Sequence, residues 1–124
     1  MSDADLKAAA RAARTDANLA AIKRHLAECV DLAERGRDAF LGPDFVNRYA
    51  ALAALIQTGN AVKDLPDEFR AAHPDVRWRA LMGTRDKIGH IYGDSVDWDA
   101  LWNTVARDVP NDLAAVRRAV AQRR

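Results

Sequence analysis

From Leu19 onward, Ile22, Leu26, Cys29, Val30 and Ala33 recur at intervals of three and four residues. That period gathers the apolar side chains on one stripe of an α-helix, whereas a strand would scatter them over both faces. It returns in Phe45, Tyr49, Leu52, Leu55, Ile56 and Val62, in Trp78, Leu81, Met82 and Ile88, and in Trp98, Leu101, Trp102 and Val105. Leu113, Val116 and Val120 close the series. No strand pattern, low-complexity segment or internal repeat interrupts it. The expected fold is all-α, an antiparallel helical bundle of about four to five helices with short connections. A chain of 124 residues is one domain on size grounds. Its alanine-rich start, about residues 1–18, reads as a helical extension.

Punctuation sets the expected helix bounds. The first helix spans about 4–35, with a break or capped restart at Thr15-Asp16-Ala17-Asn18 and a stop at Gly36. Gly42-Pro43-Asp44 starts the second, with the proline in its first turn, and Leu65-Pro66 ends it. Gly59, on or beside its apolar stripe, suggests close approach of another backbone. A short helix covers 67–71, and His73-Pro74-Asp75 forms a turn. The third helix runs from about Val76 to Tyr92. Asp97 caps a fourth, with Asp99 in its first turn. Val109-Pro110-Asn111-Asp112 breaks the chain again before a last short helix.

Composition excludes several classes. One cysteine, Cys29, rules out an intrachain disulfide, and its place on the apolar stripe reads as a core thiol. His25, beside Lys23 and Arg24, falls on the solvated face. No apolar run approaches the ~20 residues of a membrane span. The acidic N-terminus lacks the basic-then-apolar layout of a signal peptide, so a cytoplasmic protein is expected. The net charge of +1 neither demands nor excludes nucleic acid. Asp94, Asp97 and Asp99 read as capping residues, and no histidine or cysteine stands at a metal-binding spacing, so neither metal nor cofactor is expected. The terminal arginines complement a helix dipole without needing RNA.

The chemistry is left to Arg85-Asp86-Lys87-Ile88-Gly89-His90-Ile91-Tyr92. Arginine offers a permanently charged fork of donors for a phosphate, and histidine exchanges a proton near neutral pH. Such a pair can cleave RNA without a metal. A base draws the proton from a 2′-hydroxyl, the oxygen attacks the adjacent phosphorus, and a cation stabilises the phosphorane. On an ideal helix, however, Arg85 and His90 stand about 140° apart, while Arg85 and Tyr92 nearly share a face. Three arrangements stay open: the helix loosens near Gly89, the arginine reaches around, or two copies complete each other's sites across a two-fold axis.

The segment resembles the Arg-x4-His-x-Tyr motif of the HepT-like branch of the HEPN superfamily. Leu65-Pro66, His73-Pro74 before Trp78, Val96-Asp97, Trp102 and Asp108-Val109-Pro110 follow that family's order and approximate spacing. The likeness covers roughly residues 19 to 114. It implies a dimerising helical bundle with the motif in a cleft between protomers. It implies an endoribonuclease toxin of a type VII-like toxin–antitoxin system, acting on RNA. The implied partner is an MntA-like nucleotidyltransferase antitoxin that transfers AMP from ATP to the motif tyrosine. Carried across, Arg85 and His90 are the catalytic pair and Tyr92 is the modification site. Asn60 and Asp86 are supporting residues.

This chain departs from the family where many relatives carry a second-helix glutamate and it has Asn60. Gly89 replaces a bulky apolar residue, and the linker Gly93-Asp94-Ser95 looks slightly longer. The alternative reading is a non-catalytic helical module that presents substrate or RNA to a partner nucleotidyltransferase.

Overall fold

The computed structural model describes residues 1–89 and 96–123, with the side chains of 85–89 outside the description. The fold is an all-α bundle. In order, the helices are α1 (Asp3–Glu34), α2 (Arg37–Leu41), α3 (Val46–Lys63), α4 (Asp67–Ala72), α5 (Trp78–Gly89), α6 (Trp98–Asn103), a π-helical turn (Thr104–Asp108) and α7 (Val109–Gln122).

The expected stripe of α1 is the centre of the core. Leu19, Ile22, Leu26, Cys29 and Leu32 are buried, packed against α3 on one side and α7 on the other. α5 covers the other flank of α3 through Trp78 and Leu81. The expected interruption at Thr15 does not occur, and α1 runs unbroken through it. Thr15 is itself buried, and Asp16 is held by Arg123 at 2.8 Å, so tertiary contacts override weak local propensity. Gly36 stops the helix as expected, at φ 101°, where a side chain would be strained.

Four further expectations are corrected. α3 begins at Val46 and not at Pro43, because the Asp44 carboxylate accepts the Val46 N–H at 3.0 Å and turns the chain outside the helix. Phe45 and Tyr49, expected on the apolar face, are 58% and 52% exposed and stack edge to face. α5 begins at Trp78, two residues late, while Val76 is buried in the preceding turn. Its expected end at Tyr92 lies outside the described residues.

The fourth correction concerns Pro110, which breaks nothing. The π-helical turn runs directly into α7, with the Val109 N–H donating to the Thr104 carbonyl, and Pro110 sits in the first turn of α7, where its missing N–H is tolerated. Asn111 Nδ2 donates to the Arg107 carbonyl at 3.4 Å beside it.

Cys29 is the core thiol expected, with no exposed surface. Burial, and secondarily the charge of Glu28, push its pKa from 9.0 up to about 12. The native state therefore holds this proton more tightly than the unfolded chain. The stabilisation is complete below the unfolded thiol pKa, and above it is lost at about 1.4 kcal/mol per pH unit until the folded value is reached. Denaturation midpoints are expected to fall between pH 9 and 11 in the wild type by more than in Cys29→Ala. Equal slopes would contradict the assignment.

Candidate functional site

The sequence-predicted site residues are distributed over two packed helices and the segment that follows them. Arg85 and Asp86 lie in α5, whose α-helical backbone continues to Gly89, so a loosening of the helix, one of the three open arrangements, does not begin before that residue. Their side chains, together with His90 and Tyr92 entirely, lie outside the described residues. Asn60 sits in the last turn of α3, half-buried, with its carbonyl accepting the Asp64 N–H at 3.2 Å. α3 and α5, which carry Asn60 and Arg85, pack side by side.

Beside α5 lies a cavity of about 540 Å³. One wall is α5, from Arg77 at its threshold to Gly83 and Thr84. The opposite wall is Val96, Asp97, α6, the π-helical turn and the start of α7. Leu55 of α3 also lines it. Gly83, Thr84 and Val96 flank the segment that carries the motif, so the cavity borders both of its ends. The lining is mixed: aliphatic residues such as Leu55, Leu81 and Leu101 alternate with Arg77, Arg79, Asp108 and Asp112, and a concave site with placed polar groups suits ligand binding.

The placed polar group is a pair that sequence reasoning missed. Arg77 Nε donates to Asp112 Oδ1 at 2.9 Å, and its Nη2 donates to Oδ2 at 3.0 Å. This bidentate fork joins the start of α5 to the first turn of α7. The Asp112 side chain is 5% exposed and the Arg77 side chain 53%, so the carboxylate is the buried member and the guanidinium the exposed one, and both residues line the cavity. The hydrogen bonds to Asp112 raise the Arg77 pKa above its ordinary value. Partial burial opposes this, and the charges of Asp112 and Asp108 reinforce it. The pair fixes a permanent cation on the cavity wall without a mobile side chain. A separation of 35 residues leaves no local signal from which to predict it.

Other residues singled out from the sequence have structural employment. Asp97 caps α6 as expected, accepting the Ala100 N–H at 3.0 Å, while Asp99 pairs with Arg37 at 3.1 Å. Asp94 lies outside the described residues. Among the described residues no cluster of three histidine, cysteine or carboxylate side chains could hold a metal. His73 is a turn residue, stacked on Phe69 with ring centres 4.6 Å apart, and its carbonyl accepts the Trp78 indole N–H. His25 is corrected. It is half-buried in a groove of about 450 Å³ between α1 and α3, bonded to Glu28 at 2.7 Å, rather than on an open polar face.

A family model described as "Ribonuclease HepT-like" matches residues 22–119. The chain is 34% identical over 90 residues to a protein named "Probable ribonuclease HepT" from Thermococcus cleftensis, across 69% of this chain and 81% of that one. It is 36% identical over 89 residues to a protein named as a candidate RNase from Caldanaerobacter subterraneus subsp. tengcongensis, across 68% and 78% of the two chains. Another protein named in the same way, from Methanocaldococcus jannaschii, is 32% identical over 83 residues, across 67% of each chain. No solved structure matches the chain.

Proposed function

The chain belongs to the HepT-like ribonuclease family, and from that premise we propose that it is an endoribonuclease and the toxin of a toxin–antitoxin pair. The observation that carries the reading is the extent of the family match. It spans residues 22–119 and so contains the whole of Arg85 to Tyr92 with every landmark around it.

In the proposed reaction His90 takes the proton of a ribose 2′-hydroxyl. The oxygen attacks the adjacent phosphorus, and the bond to the next nucleotide's 5′-oxygen breaks. That oxygen takes up a proton from the His90 imidazolium or from water and leaves as a 5′-hydroxyl, and a 2′,3′-cyclic phosphate remains. Arg85 neutralises the charge that accumulates on the phosphorane. Asn60 in α3 and Asp86 in α5 are assigned supporting roles for this pair. Because Arg85 and His90 diverge by about 140° on a regular helix, we place the working site in a homodimer, where each protomer supplies what the other lacks. The chemistry requires a proton acceptor and a cation, and the chain has both without a metal.

Regulation is proposed at Tyr92. An MntA-like nucleotidyltransferase antitoxin would attach AMP to the phenolic oxygen, displacing pyrophosphate from ATP. On a regular helix Tyr92 would fall on nearly the same face as Arg85, so the added phosphate and nucleoside would occupy the place of the RNA phosphate and repel it.

Purified protein in EDTA is expected to cut RNA and leave cyclic phosphate ends. Incubation with the partner nucleotidyltransferase and ATP is expected to add AMP mass and to silence the cut. A Tyr92→Phe protein that gains the same mass would sink the modification site. Intact RNA, with tight binding to the nucleotidyltransferase, would favour the non-catalytic module instead.

A further inference from the structure

The first fourteen residues are exposed throughout, although α1 is helical from Asp3. Just over three turns, roughly 18 Å of helix, therefore exist without burying anything. Packing does not explain them, and neither does the family match, which begins at residue 22. Apart from Arg123 Nη2, which donates to the Ala12 carbonyl at 3.3 Å, what holds the arm in helical form is local. Ser2 Oγ accepts the Asp5 N–H at 3.2 Å, and the Asp5 carboxylate accepts the Ser2 N–H in return at 3.3 Å. Alanine-rich sequence lowers the cost of the remaining turns.

The arm is also electrically one-sided. Lys7, Arg11 and Arg14 fall within about 60° of one another around the helix axis. From Lys7 to Arg24, α1 carries five cations and a single carboxylate, Asp16, and that carboxylate is committed to Arg123. α7 runs alongside and brings Arg117, Arg118 and Arg123, with its carboxylate Asp112 at the far end. Asp3 and Asp5 stand at the tip, where they serve the helix N-terminus. The neighbouring α4 contributes Glu68, and Asp67 paired with Arg70. With Asp16 and Arg123 paired to each other, Lys7, Arg11, Arg14, Lys23, Arg24, Arg117 and Arg118 give this end a local excess of positive charge in a chain of net charge +1.

We propose that this arm and the adjacent face of α7 form a second RNA-contact surface. It would hold the phosphate backbone of a long or structured RNA outside the cleavage site. Charge complementarity favours a polyanion. A second copy of the chain would bring its own cations against these. An acidic protein partner would need an apolar anchor at the centre of the contact, and the arm offers alanines and the half-exposed Leu6. Phosphate binding needs no such anchor. The proposal rests on the ribonuclease reading only for the identity of the polyanion.

The test uses the full-length protein and a triple variant, Lys7→Gln, Arg11→Gln and Arg14→Gln, in which glutamine preserves helix propensity. Binding of a structured RNA is followed across a salt series, and cleavage is compared on that RNA and on a short single-stranded oligonucleotide. The expected variant has KM for the structured RNA raised about tenfold, kcat and oligonucleotide cleavage unchanged, and a log K against log salt slope shallower by about 2 to 3. Arg117→Gln with Arg118→Gln is expected to act in the same direction.

Unchanged affinity and slope in both variants would overturn the proposal. So would loss of an acidic protein partner with RNA binding intact. A wild type that binds with the steep slope but cuts neither substrate would refute the ribonuclease reading and leave the arm standing.

Discussion

His90→Ala is expected to lower RNA cleavage by about 10²- to 10⁴-fold, the range a positioned general base contributes. KM should change little, because the lost interaction belongs to proton transfer and not to phosphate binding. Arg85→Ala is expected to cost a similar amount through loss of the cation facing the phosphorane. Arg85→Lys should recover only part of it, since an ammonium keeps the charge but not the fork. A binding module predicts the opposite, near-indifference of any RNA readout to His90. Growth inhibition undiminished in His90→Ala would end the toxin reading.

The same two variants decide how the site is assembled. If Arg85 and His90 act from different protomers, mixing the two inactive proteins after dimer exchange creates heterodimers with one intact site. By counting, about a quarter of wild-type activity returns. If both act from one protomer, every site in the mixture lacks one member and nothing returns. α5 is α-helical through Gly89, and a helix continued regularly to His90 would set the two residues about 140° apart, the arrangement that predicts recovery.

Local physics made much of the fold legible. The stripe from Leu19 to Cys29 needed only its period, and Asp97 only its place ahead of an apolar run. The failures share a non-local cause. Phe45 and Tyr49 obey helical spacing as well as Leu55 does, but spacing cannot say whether a neighbour arrives to cover them. Pro110 reads as a breaker until a π-helical turn ahead of it absorbs the missing donor. α2 is five residues between Gly36 and Gly42, too short to show a period.

At the site, the chemistry proposed for Arg85 and His90 rests on residue type, whereas their proposed pairing and the role proposed for Tyr92 rest on a family pattern. The fork of Arg77 on Asp112 was invisible, because its geometry exists only once α5 and α7 meet.

The overlooked α2 carries the largest expected stability effect. Phe40 has no exposed surface and is the bulkiest fully buried side chain among the described residues. Its ring lies 5.3 Å from that of Trp102, at 52°, a tilted contact that fastens α2 to α6. Phe40→Ala is expected to cost about 3–5 kcal/mol, combining lost transfer energy with a cavity that helices on either side cannot close. Urea midpoints should fall with little change in slope, and Trp102 emission should shift as its neighbour disappears. Phe40→Leu should restore most of the loss.

Phe45→Ala, five residues along and 58% exposed, is the control and should stay within about 0.5 kcal/mol of wild type. Equal effects at the two positions would mean that α2 is not docked as described. Because α6 forms a wall of the cavity beside α5, Phe40→Ala protein that is still folded should also cut RNA more slowly. That decrease would be a positional effect, recovered by Phe40→Leu together with stability, whereas the loss in His90→Ala would persist in a fully stable protein.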